Sequence, residues 1–198
     1  MVRLIIRDES ISRQILSTLL APIPERHLEK LTIIVRSKPT KRVVKSAQRL
    51  IYRVDELGRC YFHVKDYIVK DYLIYIHLHA ILNNIIRSHS YLYPTRNTIK
   101  FRKFKLSKLK DISFLERTLW RSFILTLYHE IGHHRESRVF DLSRQKSEEF
   151  ANWYAHKIMT ELIRENPCVS YEIPLEFKKL IYERKNNVKF FANRTYKR

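Results

Sequence analysis

The chain has 198 residues, with 39 Lys and Arg against 20 Asp and Glu, and a formal net charge of +19. Its hydrophobic fraction of 44% excludes intrinsic disorder, and two Gly and six Pro exclude a linker-rich or fibrous protein. Cys60 and Cys168 lie far apart and outside any CxxC pair, which excludes a zinc ribbon and a disulfide-dense secreted scaffold. No apolar run of signal-peptide length forms before Asp8 and Glu9, and the longest apolar stretch, 72–86, is interrupted by His77, His79, Asn83 and Asn84. An intracellular protein without a membrane crossing is therefore expected. The length suits a single domain over residues 1–198 that can bury about 70% of its unfolded surface.

In chain order, Val2 to Ile6 reads as a short strand, and Asp8 or Ser10 as the cap of a helix whose apolar face is Ile11, Ile15, Leu16, Leu19 and Leu20. Pro22 and Pro24 break that helix. Glu25 to Lys30 reads as a short helix leading into the β-branched strand Leu31 to Val35. Arg49 to Val54 and Arg59 to Val64 flank a turn ending in Gly58 and predict a hairpin. Residues 72–78 alternate as a strand does, although a helix through Ile86 fits the pattern too. Asn97 to Leu106 sets Ile99, Phe101 and Phe104 among four cations and reads as an edge strand shielded by its charge. Ser113 to about His134 is apolar around most of a helix circumference, which places it in the core. Glu136 to Lys146 reads as a polar loop, and Ser147 as the cap of a second long helix from Glu148 to about Glu165, ended by Pro167. A last helix is expected over Pro174 to Arg184, followed by a basic tail over 185–198.

The residues that carry chemistry are His129, Glu130 and His133, an H-E-x-x-H set inside the apolar helix. Two histidines four residues apart stand one above the other on a helix, so both imidazoles reach one zinc ion. Glu130, about 100° round, is placed to act on a water there. An ordinary buried helix gains nothing from three ionisable groups in five positions, because their desolvation is costly unless they pair or bind metal. Gly132 costs about 1 kcal/mol relative to Ala in a helix, and its missing side chain lets another segment approach. A catalytic zinc needs a third protein ligand and an open position. The extended metzincin pattern is excluded, since Glu136 and Val139 stand where it requires Gly and His. Glu148 on the second helix is the favoured third ligand and Glu149 its competitor. Asn152, one turn further, can hold the outer nitrogen of a liganding histidine and so set its tautomer. His156, a further turn on, is a candidate oxyanion stabiliser.

The segments FILTLYHEIGHH and SEEFANWYAHKIM together resemble the paired-helix signature of the ImmA/IrrE-type zinc metallopeptidases, within the gluzincin group. The first motif is matched by His129, Glu130 and His133, and the second by Glu148, Ala151, Asn152, Tyr154, Ala155, Ile158 and Met159, over about 40 residues. Thr160 and Glu161 depart from the Met-Pro that commonly follows in that family. The resemblance implies an α+β, zincin-like fold in which an active-site helix and a glutamate helix pack beside a small, mostly antiparallel sheet. It implies a Zn²⁺ cofactor and a protein or peptide substrate, and members of the family often cleave helix-turn-helix repressors. The 97–106 edge strand is then a candidate for binding substrate backbone by strand addition.

The positive charge opens a different reading, that of a nucleic-acid-binding protein with a silent or structural zinc site. Residues 11–64 can be read as a winged helix within an N-terminal subdomain of 1–65, its third helix carrying Lys41, Arg42, Lys45 and Arg49. Lys100, Arg102, Lys103 and Lys105 are candidate phosphate contacts. Few Gln and much Ile, Lys, Arg and Glu also fit a protein from a hot environment, in which charge serves ion pairing.

Overall fold

The computed structural model describes residues 2–6, 11–36, 58–65, 68–79, 81, 82, 85, 112–139 and 143–183. The 49–54 arm of the expected hairpin, the third helix of the winged-helix reading with Lys41, Arg42, Lys45 and Arg49, the 97–106 strand with Lys100, Arg102, Lys103 and Lys105, and the 185–198 tail lie outside these residues.

Strand β1 (Arg3–Ile6) precedes helix α1 (Arg13–Leu20), which buries Leu16, Leu19 and Leu20. The cap of α1 is Ser12, whose hydroxyl accepts from the Ile15 amide at 3.2 Å, and neither Asp8 nor Ser10. A helix beginning at Arg13 puts its N-cap position at residue 12, two and four positions after the residues expected to fill it. After Pro22 and Pro24 the chain makes a single 3-10 turn, Glu25–His27, and enters β2 (Leu31–Arg36). Strands β3 (Gly58–Lys65) and β4 (Ile68–His77) follow.

These strands form one four-stranded sheet in the order β1-β2-β4-β3, with β1 and β2 parallel, β2 and β4 parallel, and only β3 and β4 antiparallel. The expectation of a mostly antiparallel sheet is thus corrected: two of its three pairings are parallel. The physical sign was present in β2, where Leu31, Ile33, Ile34 and Val35 are all buried. A strand covered on both faces reads as a continuous apolar run rather than an alternation, and central parallel strands have that character. The strand expected over 59–64 is β3. Its partner among the described residues is β4, which is also the strand reading of 72–78.

Helix α2 (Ile112–Val139) runs five residues past its expected end, through part of the presumed loop. Leu115, Leu119, Trp120, Phe123, Ile124, Leu127, Tyr128 and Ile131 are buried, and the helix packs against β3, β4 and the following helix α3 (Arg144–Glu165). Contact with both a sheet and a helix explains why its apolar residues cover so much of its circumference. Tyr128 donates its hydroxyl to the Leu19 carbonyl at 2.6 Å, and Trp120 donates its indole N–H to the Val169 carbonyl at 2.7 Å. Both polar tips are thereby satisfied inside the core. Burial drives the Tyr128 phenol well above its ordinary pKa, so it stays a neutral donor.

Helix α3 starts at Arg144, four residues earlier than expected, with Ser143 in extended backbone at its N-cap position and no capping bond from the serine side chain. Ser147 is therefore inside the first turn and not at the cap. The helix buries Ala151, Tyr154, Ala155, Ile158, Met159 and Leu162, and a 3-10 turn at Pro167–Ser170 follows it. Residues 175–183 form α4, which packs Phe177 against both Trp120 and Phe123, at ring separations of 4.9 and 5.2 Å. The described part is a mixture of helices and one small sheet. No helix among the described residues is long and apolar enough to cross a membrane.

Candidate metal centre

The site forms where α2 and α3 approach most closely. At Gly132 a Cβ would lie 2.9 Å from the Ala151 Cα and 3.3 Å from its carbonyl oxygen. Only a residue without a side chain admits the neighbouring backbone at that distance, which accounts for a helix-destabilising glycine in the middle of α2. The close approach brings the first turns of α3 alongside the two histidines of α2.

His129 and His133 stand one turn apart, with ring centroids 4.7 Å apart and planes nearly perpendicular, and their Nε2 atoms are 3.1 Å from each other. Glu148 reaches across from α3 and places Oε2 3.4 Å from His129 Nε2 and Oε1 3.6 Å from His133 Nε2. Among the described residues these three side chains form a group whose ligand atoms all lie within 4.8 Å of one another, so they could hold a metal ion. The histidine side chains are 22% and 19% exposed and that of Glu148 is 52% exposed, which leaves the cluster open to solvent on the Glu148 side.

The outer nitrogens are held as well. His129 Nδ1 lies 3.1 Å from Asn152 Oδ1, the contact expected from the one-turn spacing of Glu148 and Asn152. His133 Nδ1 lies 3.0 Å from Ser147 Oγ, and Ser147 in turn donates to Glu136 Oε2 at 2.7 Å. Sequence reasoning missed both of these partners. Local rules assign Glu136 to a loop and Ser147 to a cap, although the i+3 spacing from His133 to Glu136 is a usable signal in a helix that continues past residue 134.

The remaining candidates fall elsewhere. Glu149 is exposed and accepts from Gln145 within its own helix at 3.0 Å, so Glu148 is the carboxylate that meets the imidazoles. His156 is exposed and outside the cluster; its carbonyl accepts from Thr160. Glu130 is buried in α2, with 7% of its surface exposed, about 100° round the helix from His129. His134 is fully buried, with Nε2 3.2 Å from the Glu29 carbonyl, and His27 Nδ1 lies 3.0 Å from the Tyr154 hydroxyl. These two contacts tie the 24–30 segment to α2 and α3 on the structural side of the helix pair.

Burial, followed by the neighbouring His129 imidazole, lowers the pKa of His133 below its ordinary value near 6.5. The neutral ring, the form that binds metal, is thus favoured in the folded chain. A histidine whose folded pKa is depressed takes up its proton more readily when unfolded. Its contribution to stability is therefore complete above about pH 6.5 and is lost as pH falls toward the lower folded value. Acidification from neutral pH should destabilise the metal-free chain and weaken metal binding together, because protons compete for the same lone pair. Thermal unfolding and metal retention measured across this range check it. Comparison of the chain with protein-family models, curated proteins and solved structures returns no match.

Proposed function

We propose that the protein is a zinc-dependent endopeptidase of the gluzincin type, with His129, His133 and Glu148 as zinc ligands and Glu130 as general base. The observation that carries the reading is the spacing of the three donor groups. Ligand atoms bound to tetrahedral zinc at about 2.0–2.2 Å are separated from one another by about 3.3–3.6 Å. The separations found here, 3.1, 3.4 and 3.6 Å, span that range. Two imidazoles and one carboxylate leave a fourth position, as catalytic rather than structural zinc sites do. The solvent-open Glu148 side offers the way in for a substrate.

Zinc, when bound, supplies Lewis acidity toward a peptide carbonyl and makes a nearby water more acidic. The chain's own residues do the rest. Glu130 takes a proton from the water as its oxygen bonds to the carbonyl carbon, then delivers that proton to the amine nitrogen as the C–N bond breaks. Asn152 holds His129 in orientation, and the Gly132–Ala151 contact sets the distance between the helix bearing the histidines and the helix bearing Glu148. The zincin-like arrangement of these two helices beside the sheet is part of the same proposal, as is a regulatory, DNA-bound protein for substrate.

Cleavage of a mixed peptide substrate by the purified chain should cease on chelation and return on adding zinc. Cleavage indifferent to chelation, or none in zinc-replete protein, would count against the proposal. The net charge of +19 supports a second reading, a nucleic-acid-binding protein in which the metal is structural. Retention of the full cellular effect by a Glu130→Gln variant would favour that reading.

A further inference from the structure

We infer that Glu136, acting through Ser147, is a positioning residue that fixes which nitrogen of His133 carries the proton and thereby strengthens metal binding; the inference rests on the metal-centre reading above. The shorter of the two serine contacts fixes where the hydroxyl proton lies. An ionised carboxylate can only accept, and a serine hydroxyl has one proton to give. At 2.7 Å that proton goes from Ser147 Oγ to Glu136 Oε2. The serine oxygen is then left as acceptor toward His133 Nδ1, 3.0 Å away, so the ring must donate from Nδ1. A neutral imidazole has a single N–H, and His133 Nε2 is left with a lone pair directed at His129 Nε2 and Glu148.

Asn152 Oδ1, another acceptor, sets the same pattern on His129. Two nitrogen lone pairs 3.1 Å apart, with carboxylate oxygens at 3.4 and 3.6 Å, repel one another unless a cation lies among them. A proton would bridge two of these atoms, whereas a metal ion satisfies all three donors. The placement of Glu136 points the same way. It is buried, with 7% exposure, in the last turn of α2, where the helix dipole disfavours a negative charge. Burial of a lone carboxylate is strongly unfavourable, so this one is held by what it accepts. Outer partners that orient a liganding histidine are typically worth about 10–100-fold in metal affinity.

The test compares wild type with Ser147→Ala, Ser147→Thr, Glu136→Gln and the Ser147→Ala/Glu136→Gln double variant, each as the full chain. Zinc affinity is measured by competition with a chromophoric chelator at constant pH. Ser147→Ala should bind zinc about 10–100-fold more weakly, Ser147→Thr should retain wild-type affinity, and Glu136→Gln should be weakened. The double variant should lose less than the sum of the two single losses, because the hydrogen-bonded part of Glu136's effect passes through the serine, while its charge also acts on His133 directly. Additive losses would overturn the relay. Long-range proton–nitrogen NMR of the metal-free protein gives a readout independent of zinc. It should find His133 protonated at Nδ1 in wild type and shifted toward Nε2 in Ser147→Ala. Protonation at Nε2 in metal-free wild type would refute the relay whether or not zinc binds, whereas the expected NMR result with no zinc affinity would refute only the metal reading.

Discussion

Glu130→Gln is expected to lower peptide-bond hydrolysis by about 10²–10⁴-fold while leaving zinc bound at wild-type level. Gln keeps the size and the carbonyl oxygen of Glu but cannot take up a proton at neutral pH, so on the proposed mechanism it removes the base without opening a cavity. The proposed ligand atoms belong to His129, His133 and Glu148, and their mutual distances do not involve residue 130. Metal content and activity should therefore separate cleanly in this variant. Steady-state cleavage measured beside zinc analysis checks both halves. A variant that loses zinc in proportion to activity would show that Glu130 serves the metal or the fold, and not proton transfer.

Gly132→Ala should lower stability, opposite to the usual effect of replacing a helical glycine. In an unobstructed helix the change gains about 1 kcal/mol from propensity. Here the added methyl meets the Ala151 Cα at 2.9 Å, and its other close neighbours are the Ala151 Cβ and carbonyl oxygen, both at 3.3 Å. None of these atoms can swing aside as a long side chain would, so α2 and α3 must separate. Overpacking against backbone atoms falls in the upper part of the usual range, about 2–3 kcal/mol, and the propensity gain offsets only part of it. A net loss of about 1–2 kcal/mol lowers Tm by about 2–8 °C for a chain of this size. Separation of the helices also carries Glu148 away from the two imidazoles, so zinc affinity should fall with stability. A raised Tm with unchanged zinc affinity would mean that the close crossing does not govern the site.

The site was more legible in the sequence than the sheet was. His129 and His133, and likewise Glu148 and Asn152, are pairs at a one-turn spacing, and a helix converts that spacing into a shared face with little freedom. What places one helix face against the other is the Gly132–Ala151 contact, and both residues are small amid larger neighbours. Strand order carries no comparable signal. The alternation in 59–64 and 72–78 marks strands, yet the side-chain period is the same whichever neighbour a strand pairs with. The parallel pairing of β2 with both β1 and β4 depends on connections whose length and path are not encoded in the strands themselves. The continuous apolar run of β2 was the one available clue.

Helix ends were misplaced for a related reason. Residues 136–146 are mostly polar and read locally as a loop, whereas Glu136 continues α2 and finds its partner in Ser147 on α3. Ser143 and Ser147 are equally good caps by residue type, four positions apart. The choice between them is made by tertiary structure: Ser147 Oγ is engaged by Glu136 and His133, and the helix begins one turn earlier. The polar residues around a candidate centre are thus drawn from positions that local rules assign to caps and loops.

The proposed function requires that two imidazoles of α2 and one carboxylate of α3 bind a single zinc ion. Its most direct test is zinc stoichiometry by elemental mass spectrometry on the purified chain, beside Glu148→Gln and His133→Ala variants whose folding is verified by circular dichroism. Wild type should carry about one zinc per chain and both variants far less after dialysis against a weak chelator. Equal zinc in wild type and in Glu148→Gln, or none in wild type after supply of the metal, would contradict it.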